Sequence, residues 1–218
     1  MDRLLTIPRV ASRPEWDVTV VRPDRAATVA HGAPLADASD AALVEACLAG
    51  QPEAFDVVVE RHRRSVYQLC YRFVSNHEDA SDLSQDVFLR AYRGLGGFRG
   101  QSSLGTWLYR IAVNVCLNRV TVRVPAIEPI DPERHVDEGS ASPSDLVLKG
   151  ERTAQVRAAI DALPERQKAT LILRVYHDMS HQEIAGVLGT SVGAVKANLF
   201  HALKNLRKRL ARSERRGA

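Results

Sequence analysis

Three sets of residues have the types and spacing for chemistry, and in each the chemistry is recognition rather than bond making. The first is acidic. At about 100° per residue, Asp79, Asp82, Asp86 and Arg93 share one helical arc, opposite Ala80, Leu83, Val87, Ala91 and Leu95. Leu89 lies beside the acids on the polar side. An apolar side chain next to a carboxylate stripe predicts a docking face, because a merely solvated face gains nothing from it. The second set is Trp107, Asn114 and Asn118, which line up at i, i+7 and i+11 on the flank of the next helical pattern. An indole and two amides on one edge can hold an unstacked base. The third set is Ala194, Ala197, Asn198, His201 and Asn205, flanked by Lys196, Lys204, Arg207 and Lys208. Small side chains let a helix approach a major-groove floor, Asn198 and His201 can bond base edges, and the lysines can meet phosphates.

No catalytic constellation competes with these sets. Gly94-Leu95-Gly96-Gly97-Phe98-Arg99 departs from the dinucleotide fingerprint and follows a helical pattern, not a strand. His177 and His181 are separated by a turn and need not share a face, so they form no metal pair. Cys47, Cys70 and Cys116 are odd in number and widely spaced, which argues for buried thiols rather than a disulfide framework or a zinc site. Asp82 and Asp86 read more simply as an interaction face than as an acid/base pair. The expectation is a non-enzymatic protein with no cofactor and no metal.

The elements that must position these residues follow from periodicity and punctuation. Met1 to Ala38 lacks helical periodicity and reads as a flexible extension; a strand over Trp16–Val21 could not be stable alone. Ser39 or Asp40 can cap a first helix that Gly50 ends. A second helix, about Glu53 to Val74, turns Phe55, Val58, Val59, Val66, Leu69 and Phe73 inward. Its Arg61-His62-Arg63-Arg64 run is a solvated face or a DNA-backbone contact. Asp79 to Leu95 and Leu104 to about Val122 complete a four-helix unit; Leu104, Leu108, Ile111 and Val115 form the inner stripe of the last. Pro125, Pro129, Pro132, Gly139 and Pro143 then mark a linker, with six acids against one Arg from Val124 to Leu148.

Ser144-Asp145 starts the second helical group. Pro164 separates two helices, and Ser180-His181-Gln182-Glu183 is a capping box. Gly189 ends that helix and Ser191 can cap the last, in which Val192, Val195, Leu199, Leu203, Leu206 and Leu210 form the inner stripe. Helix, glycine-containing turn, helix is the helix-turn-helix pattern. The segment from Lys196 to the end carries eight Lys/Arg against one acid, which suits a nucleic-acid face better than the net charge of +4 would suggest. The fold class is therefore all-α: two small helical domains joined by a flexible acidic linker. No run approaches the roughly 20 apolar residues of a membrane span, and Met1 to Val10 has no signal-peptide core, so no membrane insertion and a cytoplasmic location are expected.

The order of motifs resembles the extracytoplasmic-function (ECF) group of the sigma-70 family, and is similar to its sigma-E type. The resemblance is carried by Gly50-x-x-x-Ala54-Phe55, by Asp79-Ala80-x-Asp82-Leu83-x-Gln85-Asp86-Val87-Phe88-Leu89-Arg90-Ala91-Tyr92-Arg93, and by Phe98-Arg99-Gly100 with Trp107 to Asn114. In the second group it is carried by Leu163-Pro164, Gln182-Glu183-Ile184-Ala185 and Gly193-x-Val195-Lys196. It implies an alternative sigma factor of stress-response type, divided as an extension (1–38), region 2 (39–123), linker (124–143), region 4 (144–212) and basic tail (213–218). Asp82, Leu83, Gln85, Asp86 and Leu89 would dock on the β′ clamp helices of core RNA polymerase. Phe98, Arg99, Gly100, Ser102, Ser103, Trp107, Asn114 and Asn118 would capture a melted −10 strand of promoter DNA. Ser191, Ala194, Lys196, Ala197, Asn198, His201, Lys204 and Lys208 would read the −35 duplex. The polymerase β flap and an anti-sigma factor are further implied partners, and the acidic linker would thread near the polymerase active centre. The family often has Thr, Ser and Arg where this chain has Ala194, Ala197 and Asn198, and Glu where it has Ser81. Two other readings compete: an autonomous helix-turn-helix regulator, and an enzyme with an appended DNA-binding domain.

Overall fold

The computed structural model describes residues 35–122 and 143–217. Among these residues all regular structure is helical. Most of the N-terminal extension, with the Trp16–Val21 segment, and almost all of the acidic linker lie outside them.

The first helical group contains α1 (Asp40–Leu48), α2 (Glu53–Val74), α3 (His77–Gly94) and α4 (Leu104–Val122). Ser39 caps α1 by accepting the Ala42 N–H at 3.3 Å. Gly50, at φ +93°, turns the chain into α2 where a Cβ would be strained. Residues 35–37 form a 3-10 turn, although the sequence placed them in the N-terminal extension. Arg61 holds that turn down: its guanidinium donates to the Ala36 and Ala38 carbonyls and pairs with Asp40 at 2.6 Å. His62 meets the other Asp40 oxygen at 3.2 Å. With Arg63 paired to Glu60 at 2.8 Å, three of the four residues of the basic run on α2 are engaged within the chain.

Ser75, in the left-handed region at φ 55°, ends α2, and its N–H bonds the Tyr71 carbonyl at 2.8 Å. The third helix begins at His77, two residues before its predicted start, because the Asn76 side chain accepts the Asp79 N–H at 2.9 Å. This shift explains a second difference. Asp79, expected on the polar arc, lies in the first turn and is buried, with Arg119 of α4 at 3.3 Å. A carboxylate near a helix N-terminus is favoured by the helix dipole. Leu43, Val58, Val66, Leu69, Val87 and Leu108 are fully enclosed between the four helices.

The second group contains α5 (Pro143–Asp161), α6 (Glu165–Tyr176), α7 (His181–Leu188) and α8 (Val192–Gly217). The capping box at α7 is complete: Glu183 N–H donates to Ser180 Oγ at 3.2 Å and Ser180 N–H to the Glu183 carboxylate at 2.8 Å. Those bonds hold the exposed Glu183 carboxyl below its usual pKa. Gly189, at φ 59°, makes the tight turn, and Ser191 Oγ accepts the Ala194 N–H at 3.1 Å to start α8. Leu203, expected in the inner stripe of α8, is half exposed. The stripe that packs is narrower, with Val195 and Ala202 buried and Leu199 and Leu206 packed beside them.

The two groups meet directly. Ala169, Ile172, Leu173, Met179, Ile184 and Val195 belong to the same continuous core as the inner residues of α1–α4. Only Ile160, Leu163, Leu171 and Ala202 form a separate cluster under α8. The contact runs through α7 on α4 and α6 on α2.

Candidate docking and nucleic-acid interfaces

Helix α3 presents the first candidate face. Its inner stripe of Ala80, Leu83, Val87, Phe88 and Ala91 fixes the helix on the core. That leaves Asp82, Gln85 and Leu89 outward. Leu89 is 56% exposed, a large apolar residue that folding alone does not use. Asp86 is bound by Arg90 one turn on, at 2.8–2.9 Å, so its charge is locally shared. Leu83 is corrected here: it is only 8% exposed, lies in the core, and supports the face rather than forming it. Tyr92 was missed. It sits at i+3 from Leu89, is 53% exposed, and leans its ring edge on Phe55 at 5.0 Å between centroids. Its helical spacing from Leu89 and Gln85 was the signal for it.

The loop after α3 and the edge of α4 form the second candidate. Leu95 is buried and anchors a 3-10 turn, Leu95–Gly97, whose last bond is Phe98 N–H to the Leu95 carbonyl at 3.0 Å. The Phe98 ring lies against Trp107, 5.4 Å between centroids and tilted 57°. Both are half-buried and packed on the core, so this pair builds a wall. Gly100 has φ +67°, which lets the loop reverse toward α4. Ser103 caps α4: its Oγ accepts the Thr106 N–H at 3.1 Å and meets Thr106 Oγ1 at 2.8 Å. Its hydroxyl is thereby occupied. Arg99 is exposed and Ser102 half-buried in the same loop. Asn114 and Asn118, one turn apart on α4, are exposed and make no hydrogen bond among the described residues. They are exposed amides, not buried structural ones.

The third face is on α8. Lys196, Ala197, His201, Lys204 and Lys208 are exposed, and Ala194 and Asn198 are half-buried along one edge. Ser191 serves as the cap that orients the helix. Asn205 is not on this face; its amide donates to Gln167 of α6 at 2.9 Å and ties α8 to its own group. Sequence reasoning also missed Phe200 and Leu203, 64% and 52% exposed and one turn apart on the side toward Lys196 and Arg207. Their apolar character was visible, but their orientation depended on how narrow the packed stripe of α8 is.

His177, Cys70 and Cys116 take structural places. His177 faces Tyr109 of α4, Nδ1 to the phenol oxygen at 3.0 Å, with its Nε2 buried and unpartnered among the described residues. Burial, with the Arg72 charge adding to it, lowers this imidazole to about 4 against a smaller pull from Asp178. Cys70 and Cys116 are buried and free; a hydrogen bond with Cys70 and then burial push the Cys116 thiol up. Among the described residues no helix is long and apolar enough to cross a membrane.

A helix-turn-helix packed on a second helical group with an exposed acidic-apolar face defines the class, a helix-turn-helix transcription protein. Comparison with known proteins makes it specific. Residues 58–123 match the family model for Sigma-70 region 2, and residues 153–206 match that for Sigma-70, region 4. The chain is 35% identical over 185 residues to the RNA polymerase sigma-H factor of Pseudomonas aeruginosa, covering 81% of this chain and 96% of that one. It is also 35% identical over 173 residues to the ECF RNA polymerase sigma-E factor of Escherichia coli K12, covering 75% of this chain and 90% of that one. Among solved structures it is similar to CnrH in complex with the cytosolic domain of CnrY, at 25% identity and TM-score 0.60 over 79% of this chain and 97% of that chain. The sigma factor RpoE in complex with the anti-sigma factor NepR from Bartonella quintana shares the fold, at 20% identity and TM-score 0.56 over 72% of this chain and 96% of that chain. The chain belongs to the ECF group of the sigma-70 family. It is an alternative sigma factor that directs transcription initiation, and sigma factors are not enzymes.

Proposed function

We propose that this sigma factor divides promoter recognition between α4 and α8 and docks on core RNA polymerase through α3. The observation that carries the reading is Leu89, 56% exposed beside Asp82 and Gln85 on a helix whose other side is fully packed. An apolar anchor ringed by polar groups is the composition of an interface core with its rim. The β′ clamp helices are the partner for this face, with Asp86 and Tyr92 at its edge. The half-exposed Phe200 and Leu203 suit the second polymerase contact, the β flap.

For the −10 element, the Phe98–Trp107 wall gives a flipped base a surface to lie against, and Asn114 and Asn118 give its edge hydrogen bonds. Arg99 and the loop 100–103 would follow the backbone. For the −35 element, the small Ala194 and Ala197 let α8 approach the groove, with Asn198 and His201 toward base edges. Lys196, Lys204 and Lys208 supply sequence-independent phosphate contacts, and the Ser191-capped N-terminus adds another. An anti-sigma factor is the proposed regulator, in keeping with the NepR complex of the related fold. It would cover the apolar Leu89 face that the free chain leaves open.

Core polymerase loaded with this protein and offered a randomised promoter pool tests the reading. Run-off transcripts should arise from templates sharing two spaced elements. If the protein binds duplex DNA tightly alone and never binds core polymerase, it is an autonomous regulator instead.

A further inference from the structure

The junction between the two helical groups is crossed by one buried lysine. Lys168, in the first turn of α6, is 7% exposed. Its Nζ donates to the Phe73 carbonyl at 2.7 Å and to the Asp161 carboxylate at 2.6 Å. Phe73 stands in the last turn of α2, where four carbonyls lack intrahelical partners and the helix dipole favours a cation. Ser75, which ends α2, reaches the second Asp161 oxygen at 3.4 Å. Three helix ends, from α2, α5 and α6, thus converge on one charge, and α2 belongs to the other group.

Around this point the junction is built of specific pairs. The Arg72 guanidinium lies 4.1 Å over the Tyr176 ring, and Arg157 lies 5.4 Å over Tyr71. Farther along, Tyr109 meets His177 at 3.0 Å. Beneath them runs the shared core of Ile172, Leu173 and Ile184. Such a contact matches polar groups over a shared apolar core, unlike a chance touch between tethered domains, although a cavity of about 250 Å³ lined by Tyr71, Arg72, Asp161 and Tyr176 remains beside it.

The closed arrangement conflicts with simultaneous reading of two promoter elements. Elements centred near −10 and −35 are separated by about 25 base pairs, roughly 85 Å of duplex at about 3.4 Å per pair. Here α7 packs against α4, the two helix surfaces being immediate neighbours. The chain between Val122 and Pro143 has 20 residues, enough to span roughly 70 Å when extended. Covalent length therefore permits separation that the junction forbids.

We infer that the closed state is a self-held off state, latched by Lys168 on the Phe73 carbonyl and Asp161, that must open before both elements can be read. The consequence for initiation rests on the proposed sigma mechanism; the latch does not. It also means that the chain needs no second protein to stay closed.

The test is small-angle scattering of the full chain, without polymerase, with circular dichroism as a check on folding. The wild type should be compact. Lys168→Met keeps the aliphatic stem and removes the charge; it should raise the radius of gyration by on the order of 5 Å, the growth expected when two halves separate, with helicity retained. Asp161→Asn removes the half-exposed partner and should raise it by less. An already expanded wild type overturns the latch, as does an unchanged radius in folded Lys168→Met. Should Lys168→Met lose helicity, Asp161→Asn decides, and an unchanged radius there overturns the proposal. Binding to core polymerase is read separately: the apparent affinity of Lys168→Met should rise several-fold, since less of the protein is held in the incompetent state. Expansion without any polymerase binding by wild type or variant would count against the sigma mechanism and leave the latch standing.

Discussion

The two helical groups are stabilised differently, and the difference separates binding surface from hinge. In the first, α1–α4 enclose their own centre, so α3 and the edge of α4 can expose Leu89, Asn114 and Asn118 without loss. The second owns little core. Ile160, Leu163, Leu171 and Ala202 are its private cluster, whereas Ile172, Leu173, Ile184 and Val195 are shared with the first. A group that borrows its core is stable where it is docked and loses more when it leaves.

Substitution at the shared core should have the largest effect. Ile172 is fully buried in that core. Ile172→Ala should cost about 2–5 kcal/mol and lower the melting temperature of the second group most, seen as early loss of amide protection in α6–α8 by hydrogen exchange. Equal loss across α1–α4 would mean that the two groups unfold as one.

On the self-sufficient side, function should break without structure. Asp82→Arg reverses charge at an exposed site, and its binding to core polymerase should fall by about 30-fold or more, in the hot-spot range of at least ~2 kcal/mol, with the melting curve unchanged. Fluorescence-detected titration against core polymerase reads this; unaltered affinity would move the docking face off α3. Asn114→Ala should leave polymerase affinity intact and reduce promoter opening about tenfold, within the ~1–3 kcal/mol of a single base contact. Permanganate reactivity of the −10 strand measures it, and a thermal shift instead would show that the exposed amide is structural after all.

In the second group, Lys204→Ala should weaken binding to every promoter alike, and reduce the slope of log affinity against log salt by about 1. Sequence-selective loss would assign Lys204 to base reading. The smallest effect concerns His177 at the junction. Its folded-state pKa of about 4 lies below the ordinary 6.5, so the closed state favours the neutral ring. That stabilisation is complete above about pH 6.5 and declines as pH falls toward 4, because the opened state takes up the proton first. Arg72 opposes protonation and Asp178 favours it. Melting temperature between pH 7 and 5 should fall more in wild type than in His177→Gln.

The sequence made much of this legible because caps and core stripes are local signals. Ser39, the Ser180–Glu183 box, Gly189 and Ser191 act where their types and spacing placed them. The outward orientation of Asp82 and Leu89 followed from helical period alone, whereas Gln85 entered only through the resemblance. Other features depended on tertiary partners. Leu203 fits a helical stripe, yet α8 meets its neighbours through a strip only as wide as Val195 and Ala202 allow. Leu83 served both the core arc and the resemblance to a docking helix, and burial decides for the core. Asp79 turned inward because Asn76 started the helix earlier and Arg119 awaited the carboxylate. Lys168 gave no sign at all, since a buried lysine is rare and its acceptor is a backbone carbonyl 95 residues away.

Run-off transcription from matched templates, one fully duplex and one pre-melted across the −10 element, tests the division of labour most directly. With core polymerase, the wild-type protein should initiate on both. Asn114→Ala should lose about tenfold on the duplex and recover on the pre-melted template if α4 captures the opened strand without holding polymerase. Equal impairment on the two templates, or no initiation by the wild type on either, would contradict strand capture by α4.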